Sequence, residues 1–156
     1  MSISVDIDLE YEFEVKAKAA AVFKVLSDVP ASASHFPKVE KLTELSSGVY
    51  QWEMQKVGSA QVNIQTIYAC KYLSNATKGT VVWTPVKDIG NAQVSGSWKI
   101  LDHKKSTGIT LSIKGLVNVP LPALMQTVVA PIVEAEFEKL VDTYIDNLIK
   151  KFGGEV

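Results

Sequence analysis

The sequence contains no arginine; all sixteen of its basic residues are lysines. Arginine is the usual bidentate reader of carboxylate, phosphate and guanine. Its absence argues against a nucleotide or nucleic-acid site, although lysine and helix N-termini can still hold a phosphate. The formal net charge of −1 adds no bulk attraction to nucleic acid or to an anionic membrane. Cysteine occurs once, as Cys70, which excludes an internal disulfide. That thiol lies mid-strand without a neighbouring histidine, so we expect an inert buried group rather than a nucleophile. The two histidines, His35 and His103, are far apart and do not combine with one cysteine into a zinc site. His103 falls in the charged turn DHKKSTG and His35 in a short second helix, where surface or capping roles are expected. No GxSxG elbow and no glycine-rich phosphate loop is present, so neither a metal nor a cofactor is expected.

Long uncharged apolar runs are also missing. A membrane-spanning helix needs about 20 residues, and the longest candidate, residues 115–133, is interrupted by Asn118, Pro120, Pro122, Gln126 and Pro131. No integral membrane segment is expected. The N-terminal MSISVDIDLEYEFEV has neither the basic flank nor the apolar centre of a secretory signal. With a lone cysteine, the cytoplasm is the expected compartment.

What is present is enough to build a sizeable core. The chain has 156 residues, 47% of them hydrophobic, and reads as one domain over 1–156. Residues 3–15 alternate strictly. Ile3, Val5, Ile7, Leu9, Tyr11, Phe13 and Val15 face one way, and Ser4, Asp6, Asp8, Glu10, Glu12 and Glu14 the other. This is a long half-buried strand with an acidic solvent face, which discourages edge-to-edge pairing or serves as a partner surface. Residues 17–27 read as a short helix, and 28–37, bracketed by prolines, as a turn and a second short helix. A series of strands follows. Residues 39–45 precede a turn at 46–48, after which Tyr50, Trp52 and Met54 alternate with polar residues. After Gly58 one long run places Val62, Ile64, Thr66, Tyr68, Cys70 and Tyr72 on one face. Strands at 80–86, from Gly90 to Ile100 and around Ile109–Ile113 complete about seven, and short turns imply antiparallel order. Gly96 is the expected bend of its strand.

The chain ends in a helix predicted from Pro122 to Phe152, with Pro120 and Pro122 suited to its entry. In its second half Phe137, Leu140, Val141, Tyr144, Ile145, Leu148 and Phe152 form one apolar stripe. In its first half Met125, Val128, Val129, Ile132 and Val133 cluster on a rotated stripe, and Pro131 is expected to kink or break the helix between them. Those first-half residues either fill the core or form the wall of a pocket. Glu136 sits on their apolar face. A carboxylate there is costly unless hydrated, paired or protonated, so either a wet pocket receives it or the kink turns it to solvent.

The order strand, two short helices, strands, long helix resembles the START-like superfamily, also called Bet v 1-like or SRPBCC. VFKVLSDVPASASHFPKVEKLTEL, residues 22–45, looks like the helix–proline-turn–strand segment of bacterial polyketide cyclase/dehydrase-type members. VSGSWKI, residues 94–100, is similar to the late strand of the same branch, which also includes accessory proteins of carbon monoxide dehydrogenase. The likeness covers nearly the whole chain and carries no catalytic motif. It implies an α+β helix-grip fold, in which a curved antiparallel sheet of about seven strands wraps a long C-terminal helix. It also implies a cavity between the two for an apolar molecule, of order several hundred Å³.

On the inferred faces Tyr50, Thr66, Tyr68 and Tyr72 supply polar tips, and Trp52, Met54 and Trp98 supply walls, to which Met125, Val129, Ile132 and Glu136 add from the helix. Tyrosine hydroxyls on an apolar surface suit the anchoring of one polar end of a greasy ligand. The expected function is binding, or transport, of a hydrophobic small molecule or lipid. A cyclase or dehydratase acting through Glu136, Tyr68 or His35, and an accessory protein acting on a protein partner through its surface, are the alternatives.

Overall fold

In a computed structural model of the protein, residues 3–58, 63–119, 121 and 123–156 are described. The first strand, β1 (Ile3–Val15), is followed by α1 (Ala19–Leu26) and α2 (Val29–Ala33). Next come β2 (Val39–Ser46), β3 (Val49–Met54), a two-stranded ribbon of β4 (Val57–Gly58) and β5 (Asn63–Ile64), and β6 (Ile67–Asn75). β7 (Thr80–Pro85), β8 (Ala92–Asp102) and β9 (Thr107–Val119) complete the strands. A 3₁₀ turn (Ala123–Met125) leads into α3 (Gln126–Lys151). The main sheet has seven antiparallel strands in the order β1-β9-β8-β7-β6-β3-β2. It curves around α3, giving the α+β helix-grip arrangement that the sequence implied.

The strict alternation of β1 becomes its structure. All thirteen residues pair with β9 without a bulge, from Ile3 against Val119 to Val15 against Thr107. Ile3, Val5, Ile7 and Val15 are buried, while Asp6, Asp8, Glu10 and Glu12 are exposed along an outermost strand. The chain end lies beside the same strand: Lys16 N–H donates to the Gly154 carbonyl at 3.1 Å, Ala17 N–H to Phe152 at 3.0 Å, and Val156 N–H to Glu14 at 2.9 Å. Thr107, fully buried, donates its hydroxyl to the Ala17 carbonyl at 2.7 Å, so both edges of the β1–α1 junction are tied down.

The two short helices close one end of the sheet. Asp28 caps α2 by accepting from the Ala31 N–H at 3.2 Å, and Pro30 occupies the first turn, where its missing N–H costs nothing. α3 is unbroken over 26 residues, about 39 Å at 1.5 Å per residue. The expected break at Pro131 does not occur. The proline lies only six residues into the helix on an exposed face, so it removes a single bond to the Thr127 carbonyl, which water can satisfy. The second-half stripe of α3 is buried as its spacing predicts, with Phe137 half-buried. The first half differs: Val129 and Val133 are buried, but Val128 and Ile132 are 59% and 39% exposed. The expectations for Val62, Pro120 and Pro122 lie outside the described residues.

The single long strand expected after Gly58 is replaced by the β4–β5 ribbon and a separate β6. The cause is a side-chain clamp. Asn91 donates Nδ2–H to the Gln65 carbonyl at 2.8 Å and accepts the Ile67 N–H at 2.9 Å. Its own N–H donates to the Ile67 carbonyl at 3.0 Å. An asparagine thus takes the bonds that a neighbouring strand would otherwise make. The clamp needs Gly90 beside it, which has φ +72° and would drive a Cβ into the Ile67 carbonyl. Gly96 has a related role, since a Cβ there would collide with the Trp83 indole. We expect Gly90→Ala to lose at least about 2 kcal/mol, from left-handed backbone strain and the clash together. A urea midpoint within error of the wild type would contradict this account.

Candidate functional site

Between the concave face of the sheet and α3 lies a cavity of about 60 Å³. Its wall is a closed circuit of six aromatic side chains. Phe36 meets Trp52 edge-on at 5.7 Å and Tyr144 at 4.9 Å, and Tyr144 meets Trp98 at 5.9 Å. Trp98 approaches Trp83 at 6.5 Å, and Trp83 approaches Tyr72 at 5.8 Å. The circuit closes where the Trp52 indole N–H donates to the Tyr72 hydroxyl at 2.9 Å. Tyr68 stacks on Trp52 at 5.9 Å with the rings 12° from parallel. Edge-on and offset contacts of this kind add to what the buried area alone contributes.

This filling corrects the expected size. Pockets for drug-sized ligands span about 300–1,000 Å³, and a single water needs about 10–15 Å³. The present space therefore holds a few water-sized groups. Trp83, Phe36 and Tyr144 are among the large side chains that line it.

Polar groups in the wall are few and mutually engaged. The Ser32 and Tyr144 hydroxyls share a buried hydrogen bond that ties α2 to α3. Outside the lining, the fully buried Cys70 donates its thiol to the Val94 carbonyl at 3.2 Å. Burial pushes the Cys70 thiol up to about 12, against a smaller opposing effect of the Tyr72 hydroxyl. Burial likewise raises Tyr68, Tyr72 and Tyr144, the first two with help from neighbouring ionisable groups. None of these groups is prepared to act as a nucleophile or base near neutral pH.

A second, smaller cavity of about 20 Å³ adjoins the first, and Phe137 lines both. Lys38, Met54, Gln55, Thr66, Ile132, Val133, Glu136 and Leu140 complete its wall. Glu136 is half-buried, yet its Oε2 is shut off from solvent and has no hydrogen-bond partner among the described residues. The helix runs on through Pro131 without a break, and Glu136 lines this cavity.

The sequence-predicted residues separate between these spaces. Trp52, Tyr68 and Trp98 converge on the inner cavity, and Met54, Thr66, Ile132 and Glu136 on the outer one. Tyr50 stands apart, lining an open groove beside α2 and β2. Val129 is wholly buried away from both cavities, and Met125 packs half-buried against the core. Sequence reasoning placed Phe137 and Tyr144 in the packing stripe rather than the site. It passed over Ser32, Phe36 and Trp83, although Trp83 alternates with the buried Val81. His35 is held outside, its Nδ1 3.0 Å from the Ala31 carbonyl, and its own carbonyl accepts from Asn147 at 2.8 Å. His103 is exposed in its turn and lies 3.2 Å from the Glu14 carboxylate. No group of side chains suited to a metal ion occurs among the described residues. No described helix is long and apolar enough to cross a membrane.

A curved seven-stranded antiparallel sheet gripping a long C-terminal helix, with two short helices after the first strand, is the START-like, Bet v 1-like fold. Solved structures bear this out. A START superfamily protein from Mycobacterium smegmatis superposes with a TM-score of 0.69 at 13% identity, over 94% of this chain and 97% of that one. The Zhui aromatase/cyclase from a Streptomyces species matches with a TM-score of 0.61 at 16% identity, over 93% and 90%. Norcoclaurine synthase from Thalictrum flavum matches with 0.59 at 19% identity, over 96% and 86%. At such identities the likeness establishes the fold alone. No family profile and no curated protein sequence matches the chain.

The raised groups fix the alkaline behaviour. Their protonated forms contribute stability that is complete below the ordinary thiol value of 9.0. It is lost as pH rises from there through about 12 for Cys70, and from 10.0 upward for the tyrosines. The loss approaches about 1.4 kcal/mol per pH unit for each group that lags fully behind the unfolded chain. Urea midpoints should hold steady through pH 8 and fall steadily beyond pH ~9.5; a constant midpoint up to pH ~11 would refute the burial argument.

Proposed function

We propose that this chain binds, and in binding can carry, a hydrophobic small molecule or lipid between its sheet and α3. The observation that supports this best is the closed aromatic circuit around a cavity between sheet and helix, with a carboxylate and several hydroxyls at its margins. A solid core would bury such rings as well, but it would not leave adjoining spaces lined by eight aromatic residues and by an acid whose Oε2 has no partner among the described residues. Because the space is small, binding requires α2, the loop after Lys87 and the start of α3 to move apart, with the rings repacking around the guest. Leu124 and Val128, 94% and 59% exposed at the start of α3, give that entrance an apolar approach. The reading takes residues 1–156 as one cytoplasmic domain without cofactor or nucleic-acid partner.

A cyclase- or dehydratase-like enzyme is the second reading, prompted by the aromatase/cyclase among the structural neighbours. The raised thiol and tyrosines weigh against it, leaving Glu136 and Lys38 as the candidate acid–base groups among the described residues of the cavities. An enzyme would lose turnover but keep binding in Glu136→Gln or Tyr68→Phe. An accessory protein with a protein partner would tolerate a filled cavity and fail on changes along Asp6–Glu14.

Native mass spectrometry of the purified protein, followed by organic extraction, is the direct test. We expect a stoichiometric apolar passenger. For an emptied protein, a ligand at a hundred times its dissociation constant adds about 2.7 kcal/mol, or about 5–11 °C in Tm. Neither a passenger nor a Tm response to a panel of lipids and aromatic compounds would refute the binding reading.

A further inference from the structure

The outer cavity specifies the polar end of the guest, an inference that rests on the binding reading above. Glu136 Oε2 is buried without a partner among the described residues, and burying a charged or polar atom in this way is costly unless something else completes its hydrogen bonds. Lys38 lines the same cavity but forms no ion pair with Glu136 among the described residues. Its backbone is held at φ +59°, and its carbonyl accepts the Gln55 N–H at 2.8 Å, which fixes the rim and keeps the strand turn in place. The space beside Glu136 is about 20 Å³, room for one water-sized group. Among the described residues Phe137 alone lines both this space and the aromatic cavity.

We propose that the outer cavity is a subsite for a single hydrogen-bond donor, the hydroxyl or amino group of an amphipathic guest whose ring lies in the aromatic cavity. The donor hydrogen-bonds to Glu136 Oε2. Phe137 is the partition, and its ring swings aside so that one molecule spans both spaces. Carboxylates and phosphates are excluded twice, by size and by repulsion from Glu136. The subsite thus selects alcohols and amines over fatty acids and other anions of the same apolar body. The uncompensated oxygen is a stability sacrifice that ligand binding relieves.

Four single-ring probes test this by titration against the emptied full-length protein: toluene, benzyl alcohol, benzylamine and benzoate. In the wild type we expect benzyl alcohol and benzylamine to bind about tenfold more tightly than toluene, and benzoate more weakly than toluene. Glu136→Gln should reduce the benzylamine advantage to within about twofold while leaving toluene unchanged. Equal affinities for toluene, benzyl alcohol and benzylamine would overturn the subsite, as would an unaltered order in Glu136→Gln. Equal affinities would do so by showing that a resident water alone satisfies the acid. A second measurement needs no ligand. Glu136→Leu should raise the Tm of the empty protein, and a lower Tm would show that the carboxylate is already satisfied by the fold. Failure of every probe to bind would overturn the subsite alone, since the binding reading is decided separately by the passenger and by the panel of lipids and aromatic compounds.

Discussion

Everything else in this molecule depends on the pairing of its first long strand with its last. β1 and β9 meet along thirteen residues in perfect register, although more than a hundred positions separate many of the partners. That union converts a meander of hairpins into a curved sheet with a defined inner face. It also delivers the chain from Val119 directly to the start of α3, so the helix must lie across the hollow of the sheet. The register is specified by period-two alternation, because a slip of one residue would turn Ile3, Val5 and Ile7 to water and five acids to the core. The tail at 152–156 adds a further set of bonds to the same strand end.

The interior follows from how that hollow is filled. Aliphatic residues of β1, β8 and β9 and large aromatic residues join the buried stripe of α3 in one core cluster. Several rings meet here at edge-on and tilted angles, and Trp52, Trp83, Trp98 and Tyr144 are among the side chains that line the cavity. The same rings hold one another by edge contacts and by the Trp52–Tyr72 and Ser32–Tyr144 bonds, so the site is organised even when empty. Its polar groups are hydroxyls around the inner space, with Lys38, Gln55, Thr66 and Glu136 around the outer one.

Much of the architecture was legible because the chain repeats simple periods over long stretches. β1, β8 and the second half of α3 alternate or recur cleanly, and the structure keeps their faces. The ribbon at β4–β5 was not legible, because a strand interrupted by an asparagine side chain from 24 or more residues downstream leaves no local mark. The first half of α3 misled for a different reason. Its apolar residues exceed what one face can bury, so Val128 and Ile132 remain in part outside. Within the site, residues on alternating strands were found and those fixed by tertiary packing were not. Trp52, Tyr68 and Trp98 follow from strand parity; Phe36 follows from no period at all. Cavity size depends on how rings from separate elements interlock, which a one-dimensional pattern does not encode.

The acidic outer row of β1 has a meaning during biosynthesis. β1 leaves the ribosome long before β9 exists, so for most of translation its apolar face has no partner strand. Asp6, Asp8, Glu10, Glu12 and Glu14 ride on the same segment throughout that interval. Their mutual repulsion opposes pairing between neighbouring nascent chains on a polysome. The charges therefore protect the protein at the stage when it is least folded, and the finished sheet inherits them as its outer edge.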